Sequence, residues 1–554
     1  MKLMSPGLAA LMAALMAALM TALIAACAPE APGAPAELPA ADAAAIEAHM
    51  AYLASDDLEG REAGTPGFDL AAAYVAGEFA KIGIAPAGDS ATYFQEITFQ
   101  RSVRAAEGRK FEVKDAAGNL LPLTEGIDAV VYNSLRAPEA SVDAPAVFVG
   151  FGIDAPELGR DDFAGLDLTG KVAVMLSGTP KGIDNEERAF YGNRKLKNIS
   201  DRGAVATVSI ETPTSKGVYP FQRLLAEGRL EGASLAWLQA DAAAYTNAPN
   251  IQATSAVSLE GAPALFAGAP ANWEAIIAAA EAEGGAVTGF DMPLTISITQ
   301  RSTHDTVRSA NVVGMLEGTD PELKDEVIVI SAHLDHIGIS RSIEEDTINN
   351  GALDNASGIA TMLDAARMLK NGPPLRRTVV FAAVTAEEKG LLGAQYFVMN
   401  PSVPGTIVAN VNLDMPILTY DFTDVIVYGA LRSNIAATVE TAAATMGVAI
   451  SPDPTPEQGI FTRSDHFRFV EAGIPAVYLK PGFQNGGDIA WADHQARNYH
   501  RPSDDMSNNL DFNAAARFAE LNARIALALA SQDARPLWKK DDFFARQFNG
   551  PMEP

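Results

Sequence analysis

The chain has 554 residues, with 41 Lys and Arg against 69 Asp and Glu, so its formal charge is −28. Such acidity argues against nucleic acid as the main partner, because phosphate-backbone affinity comes mostly from Lys and Arg. A single Cys excludes an internal disulfide, a Cys-rich structural zinc site and an iron–sulfur cluster, so any metal must be held by carboxylates and the seven His.

Residues 1–26 read as a targeting segment: Lys2, then an Ala/Leu/Met run from Leu8 to Ala26. The run is long enough for a membrane anchor. It ends, however, in Ile24-Ala25-Ala26-Cys27, which resembles a bacterial lipobox cleaved before an acylated Cys. Cys27 is therefore the expected lipid-attachment site, and Ala28 after it points to the outer membrane of the cell envelope, facing the periplasm or the surface. Residues 27–42 form a Pro/Ala-rich linker with Pro29, Pro32, Pro35 and Pro39, stiff and unable to build a core.

Helical spacing of Ile46, Met50 and Leu53 predicts a helix from Ala43. A turn-rich stretch, Leu58–Gly67, precedes a second helix over Phe68–Ile82. Short strands and turns follow to about residue 300, among them Ala146–Ile153 and a turn-then-strand at Leu166–Leu176. From about 305 the texture alternates. Apolar runs at Val327–Ile330, Thr378–Val384, Thr406–Leu413, Val425–Tyr428 and Ile474–Leu479 read as strands, and Gly358–Lys370 and Asn513–Ala530 as helices. Continuous apolar strands alternating with helices predict an α/β fold, a three-layer αβα sandwich with a mixed sheet.

Ligands in such sandwiches bind beyond the carboxyl ends of the strands. There the chain places Ser331-Ala332-His333-Leu334-Asp335-His336, Gly351-Ala352-Leu353-Asp354-Asn355-Ala356-Ser357-Gly358, Thr385-Ala386-Glu387-Glu388, Asn412-Leu413-Asp414 and, near the C-terminus, Tyr499-His500-Arg501-Pro502-Ser503-Asp504. One acidic residue at a strand end is ordinary; five metal-ligand types at successive ends are not. Two close divalent metals need a bridging carboxylate with further N and O ligands on each side. His333, Asp354, Glu388, Asp414 and His500 supply that set, which suits Zn2+, with Co2+ and Mn2+ compatible. Asp335 is spaced to accept the second ring N–H of His333 and orient it. Glu387, beside a ligand, is the candidate general base, taking a proton from water and passing it to a leaving amine.

These motifs resemble the co-catalytic di-zinc peptidase family that includes aminopeptidase Y, bacterial leucyl aminopeptidases and glutamate carboxypeptidase II. The resemblance implies one zinc on His333 and Asp414, the other on Glu388 and His500, Asp354 bridging, Glu387 as base, and a cis Asp354–Asn355 peptide. Leu58–Gly67 is similar to the N-terminal segment of family members, and Ala146–Leu176 resembles a mostly-β protease-associated domain inserted in many of them. The implied organisation is a peptidase domain at 43–135 and 300–540, an insert at 136–299, and a C-terminal tail at 541–554.

Ser464-Asp465-His466 matches a further family motif, and Asp465 and His466 are candidate supports of the site, the alternative being a hydrogen-bonded pair that only shapes the loop. Phe461 stands where some aminopeptidases carry a Tyr that polarises the scissile carbonyl, which leaves Arg463 and Tyr499 as candidate substrate-contacting donors. His336 reads as a residue that supports a ligand or lines the wall, not as a ligand itself, and His494 as a solvated one. The expected function is a metal-dependent exopeptidase acting on peptide substrates, most readily an aminopeptidase. The alternatives are a carboxypeptidase of the glutamate carboxypeptidase type and a non-enzymatic receptor-like homologue. The expected membrane contact is the lipid anchor alone.

Overall fold

The computed structural model describes residues 37–226, 229–343 and 346–554; the targeting segment, Cys27 and most of the linker lie outside the described residues. Among the described residues no helix is long and apolar enough to cross a membrane.

Four parallel strands form the centre of the catalytic sheet, in the spatial order Thr378–Val384, Glu326–His333, Thr406–Leu413 and Ala476–Pro481. They are apolar on both faces because both faces are covered. Helices Ala43–Leu53, Pro66–Ile82, Ser357–Lys370 and Phe512–Ser531 pack on one side. Leu392–Met399, His466–Glu471 and Phe543–Phe548 pack on the other. Antiparallel pairing of Asp424–Tyr428 to Ala476–Pro481, and of Val312–Leu316 to Val379–Ala383, makes the sheet mixed, as expected. Local chemistry sets the helix ends: the Asp42 and Asp511 side chains accept from the first free amides of their helices, and Gly83 closes Pro66–Ile82 in the left-handed region.

One strand, Phe290–Leu316, runs for 27 residues through both sheets. Its far half pairs with Phe94–Arg104 and the catalytic sheet, its near half with Lys110–Asp115 and Glu139–Phe148. The inserted sheet continues through the parallel strands Val172–Leu176, Ala206–Ile210 and Ala253–Val257 to the antiparallel Ala129–Val131. This moves the expected boundaries. Residues 110–131 pair with the insert rather than with the first peptidase segment, and no break falls at 299/300. The insert is also mixed rather than mostly β: parallel neighbours need crossovers, and helices such as Asn185–Asp201 and Trp273–Glu281 lie within it. The expected strand Ala146–Ile153 stops at Phe148, because Gly150 and Gly152 take φ of 55° and 73° and turn the chain.

The expected tail is packed as well. Phe543 and Phe544 are buried, and Phe544 meets Phe461, Phe467 and Phe190 of the insert helix at ring-centroid distances of 5.3, 5.7 and 6.0 Å. The Arg432 guanidinium lies 4.6 Å from the Phe544 ring, bonds Glu186 of that insert helix, and reaches Asp542 at 3.0 Å. The C-terminal helix thus staples the insert to the catalytic domain through aromatic area, which its polar flanks hide in the sequence.

Candidate active site

The carboxyl ends of the four central strands converge. They deliver His333, the Thr385–Glu388 turn, Asp414 and Lys480 to one cleft of about 540 Å3, completed by Asp354 before helix Ser357–Lys370 and by His500 from the loop after residue 497. His333 Nε2 lies 3.3 Å from Asp354 Oδ1 and 3.3 Å from Asp414 Oδ1. His500 Nε2 lies 3.4 Å from Asp354 Oδ2 and 3.2 Å from Glu388 Oε2. Asp354 therefore turns one oxygen to each imidazole. Ligands about 2.0–2.1 Å from a tetrahedral zinc sit about 3.3–3.4 Å from one another, so the donor set fits zinc in both chemistry and spacing. Donor atoms of His333, Asp354 and Asp414 cluster closely enough to hold one ion, and those of His336, Asp354 and Glu388 a second group.

The electrostatics agree. Burial opposes charge on His500, but its bonds to Asp354 and Glu388 outweigh that and raise it to about 10. His333 is likewise raised, against its burial, by Glu387, Asp354 and Asp414. Protons thus stabilise, in the absence of a cation, a pocket built around negative charge. His336, expected to support a ligand or line the wall, sets its Nδ1 2.7 Å from Glu388 Oε1, the oxygen opposite the one facing His500.

Several residues hold the ligands in place. The Asp354–Asn355 peptide is cis. The Asn355 amide donates to the His333 and Leu413 carbonyls at 3.3 and 3.0 Å and accepts from the Gly358 and Met415 amides, each at 3.0 Å, tying three ligand-bearing segments together. A Cβ at Gly358 would sit 2.2 Å from Asn355 Oδ1 and 2.7 Å from the Leu413 oxygen, which requires glycine there. Asp504, four residues past His500, accepts from the Leu353 and Asp354 amides at 3.0 and 2.9 Å, so the two loops share one frame. Arg61, buried beneath the site, donates to the carbonyls of Leu53, Leu334, Asn350 and Gly351.

Asp335 corrects the sequence reading. The His333 Nδ1 partner is the backbone carbonyl of Asp335 at 3.0 Å, not its carboxylate. That carboxylate instead accepts from the Glu387 and Glu388 amides at 3.0 and 3.3 Å. A two-residue spacing at a strand end turns the side chain away from the ring and toward the neighbouring strand's turn. Glu387 lines the cleft, and burial together with the negative charge of Glu388 and Asp465 raises its carboxyl well above the usual range, against the pull of His333.

Asp465 and His466 are buried but do not bond to each other, and both Asp465 oxygens lack a hydrogen-bond partner. Burial lifts Asp465 to about 8, with Asp414 and Asp335 adding to it, and lowers His466 to about 4. Tyr499 stacks on the His500 ring at 4.0 Å and lines the cleft with Arg463. Phe461 is fully buried against Phe544 and His466 and does not line the cleft. His494, expected in solvent, is buried. Sequence reading missed Lys480: it ends a strand as the ligands do, but a cation draws no attention in a search for ligands.

Residues 311–526 match the family model described as Peptidase family M28. Aminopeptidase YwaD of Bacillus subtilis (strain 168) is 28% identical over 209 residues, 36% of this chain and 40% of its own length. A probable zinc metalloprotease of Pyrenophora teres f. teres (strain 0-1) is 37% identical over 112 residues, 20% of this chain and 23% of its own. The chain thus spans less than half the length of these curated relatives. Among solved structures, the aminopeptidase from Aneurinibacillus sp. strain AM-1 aligns over 89% of this chain and 95% of its own, at 20% identity and a TM-score of 0.48. BSAP, a zinc aminopeptidase from Bacillus subtilis, aligns over 90% and 97%, at 19% identity and a TM-score of 0.42.

Proposed function

We propose that this chain, whose residues 311–526 match the Peptidase family M28 model, is a zinc-dependent aminopeptidase that removes N-terminal residues from peptides. The observation that carries this reading is the division of Asp354, whose two oxygens face His333 and His500 separately. On this reading His333 and Asp414 hold one zinc, Glu388 and His500 the other, and Asp354 both; His336 fixes Glu388. Two zinc ions, when bound there, supply Lewis acidity toward water and the scissile carbonyl.

The protein's own part is proton transfer and positioning. Asp335 grips the amides of Glu387 and Glu388, so the base and a ligand move as one unit. The raised proton affinity of Glu387 suits a group that takes a proton from water and returns it to the departing amine. The carboxylates around the cleft offer acceptors to the free amine of the substrate. With Phe461 turned into the core, Tyr499, stacked on His500 in the cleft, is the donor assigned to the carbonyl oxygen. Glu387→Gln should keep both metals and lose about 10²–10⁴ in kcat; near-wild-type turnover in that variant would overturn the assignment.

The insert is read as a protease-associated domain that walls the cleft, with Gln458 at the border between cleft and insert. The lipobox-like segment supports attachment to the outer membrane through a lipid on Cys27. Labelling with a fatty-acid analogue should mark the wild type and not Cys27→Ser; label on both would exclude the anchor.

A further inference from the structure

The ends of three central strands carry metal-ligand residues, while the fourth, Ala476–Pro481, carries Lys480. Lys480 is 5% exposed, and its ammonium lies 5.3 Å from the Tyr478 ring centroid and 4.5 Å from that of Trp491. Arg463 stands exposed in the same cleft. Among the described residues neither side chain has an ion-pair or hydrogen-bond partner, although Arg residues elsewhere in this acidic protein are commonly paired. A buried ammonium set against two aromatic faces, with no carboxylate in direct contact, bears a desolvation cost that the more distant Asp414 and Asp354 offset only in part. Among the described residues no carboxylate lies in ion-pair contact with it, and a ligand carboxylate entering the cleft would supply that contact. The amides of Gln458 and Gln495 line the cleft too and add neutral donors.

We propose that Lys480 and Arg463 form a carboxylate-binding subsite, so that this enzyme selects peptides presenting a carboxylate beside the scissile bond. This rests on the aminopeptidase reading and narrows it to a substrate class. Two sources share the chemistry: the side chain of an acidic terminal residue, or the free C-terminus of a di- or tripeptide. Burial draws the Lys480 ammonium down to about 8, opposed by Asp414 and Asp354 and assisted by Arg463, which leaves a substrate carboxylate a clear role in holding its charge.

The test uses the zinc-loaded protein and two matched pairs: glutamyl against glutaminyl p-nitroanilide, and Leu-Gly against Leu-Gly-amide. The wild type should prefer the carboxylate member of at least one pair by tenfold or more in kcat/KM, and the pair that discriminates identifies the source. Lys480→Met, which keeps side-chain length between Tyr478 and Trp491, and Arg463→Met, at an exposed position, should each reduce that ratio several-fold, chiefly through KM. Lys480→Arg should largely retain it. Equal use of both members of both pairs by the wild type, or a ratio unchanged in both Met variants, overturns the subsite while leaving the peptidase reading intact. Failure to cleave any of the four overturns the peptidase reading instead. Calorimetric titration with glutarate against glutaramide, which needs no turnover, then decides the subsite: glutarate affinity should fall tenfold or more in Lys480→Met, and no change overturns it.

Discussion

Arg61 lies on the N-terminal turn, far in sequence from every proposed ligand, yet the structure makes it a keystone. Its guanidinium donates to Leu334 at 3.1 Å, Asn350 at 2.6 Å and Gly351 at 3.1 Å, and to Leu53 as well. Its own carbonyl accepts from His336 at 3.2 Å. Burial pulls it down to about 10 while Asp504, Asp354, Asp335 and Glu388 hold it up, so it stays charged. Arg61→Met keeps much of the volume and leaves four buried carbonyls without a donor. At about 1–3 kcal/mol for each unsatisfied group, and allowing for water entry and the relieved desolvation of the charge, the loss should be about 4 kcal/mol. For the 514 described residues the unfolding entropy is about 1.1 kcal/mol/K, so thermal unfolding in chelator should fall by about 4 °C. Because Leu334 adjoins His333 and Gly351 leads to Asp354, zinc affinity should also weaken about 10–100-fold. Arg61→Lys, with donors on a single nitrogen, should recover about half of the stability. A melting point within about 1 °C of wild type together with unchanged zinc affinity in Arg61→Met would refute this account.

Asp335→Asn tests which partner Asp335 serves: one amide oxygen cannot replace both acceptors of the Glu387 and Glu388 amides, so kcat should fall about tenfold or more while metal analysis still finds zinc at the His333 site. Loss of that zinc with the base intact would instead restore the role expected from spacing. Phe544→Ala should cost about 3–5 kcal/mol in denaturant unfolding and loosen the insert, measured as faster proteolysis within Asn185–Asp201; a stable, protected variant would mean the C-terminal helix is dispensable. His333 is raised, and His500 is raised to about 10, so His500 is protonated at pH 7.5 without metal, and zinc needs its lone pair. Zinc binding should therefore release the His500 proton, read from titrations in buffers of different ionisation enthalpy, and no buffer dependence would contradict it. The same sign makes the His500 contribution to the metal-free fold greatest below about pH 6.5 and lost as pH rises through about 10.

The proposed ligands were readable in the chain because strand ends in a parallel sheet share one edge, so local patterning alone brings His333, Glu388 and Asp414 together. Strand spans such as Thr378–Val384 and Thr406–Leu413 were set by runs dominated by apolar and β-branched residues, and the structure keeps them. Direction of side chains was not readable. Asp335 has the spacing of a His partner, but the turn after its strand points the carboxylate at another strand's amides. Strand partnership was not readable either. Lys110–Asp115 carries the same alternation whether it joins the catalytic sheet or the inserted one, and only the course of Phe290–Leu316 decides which. Arg61, Asp504 and Lys480 acquire their roles from contacts across tens to hundreds of residues, which no local pattern encodes. Periodicity along the chain thus determined the elements and the edge where ligands gather. Packing between distant segments decided which side chains support that edge, and it placed two unpaired cations in the cleft.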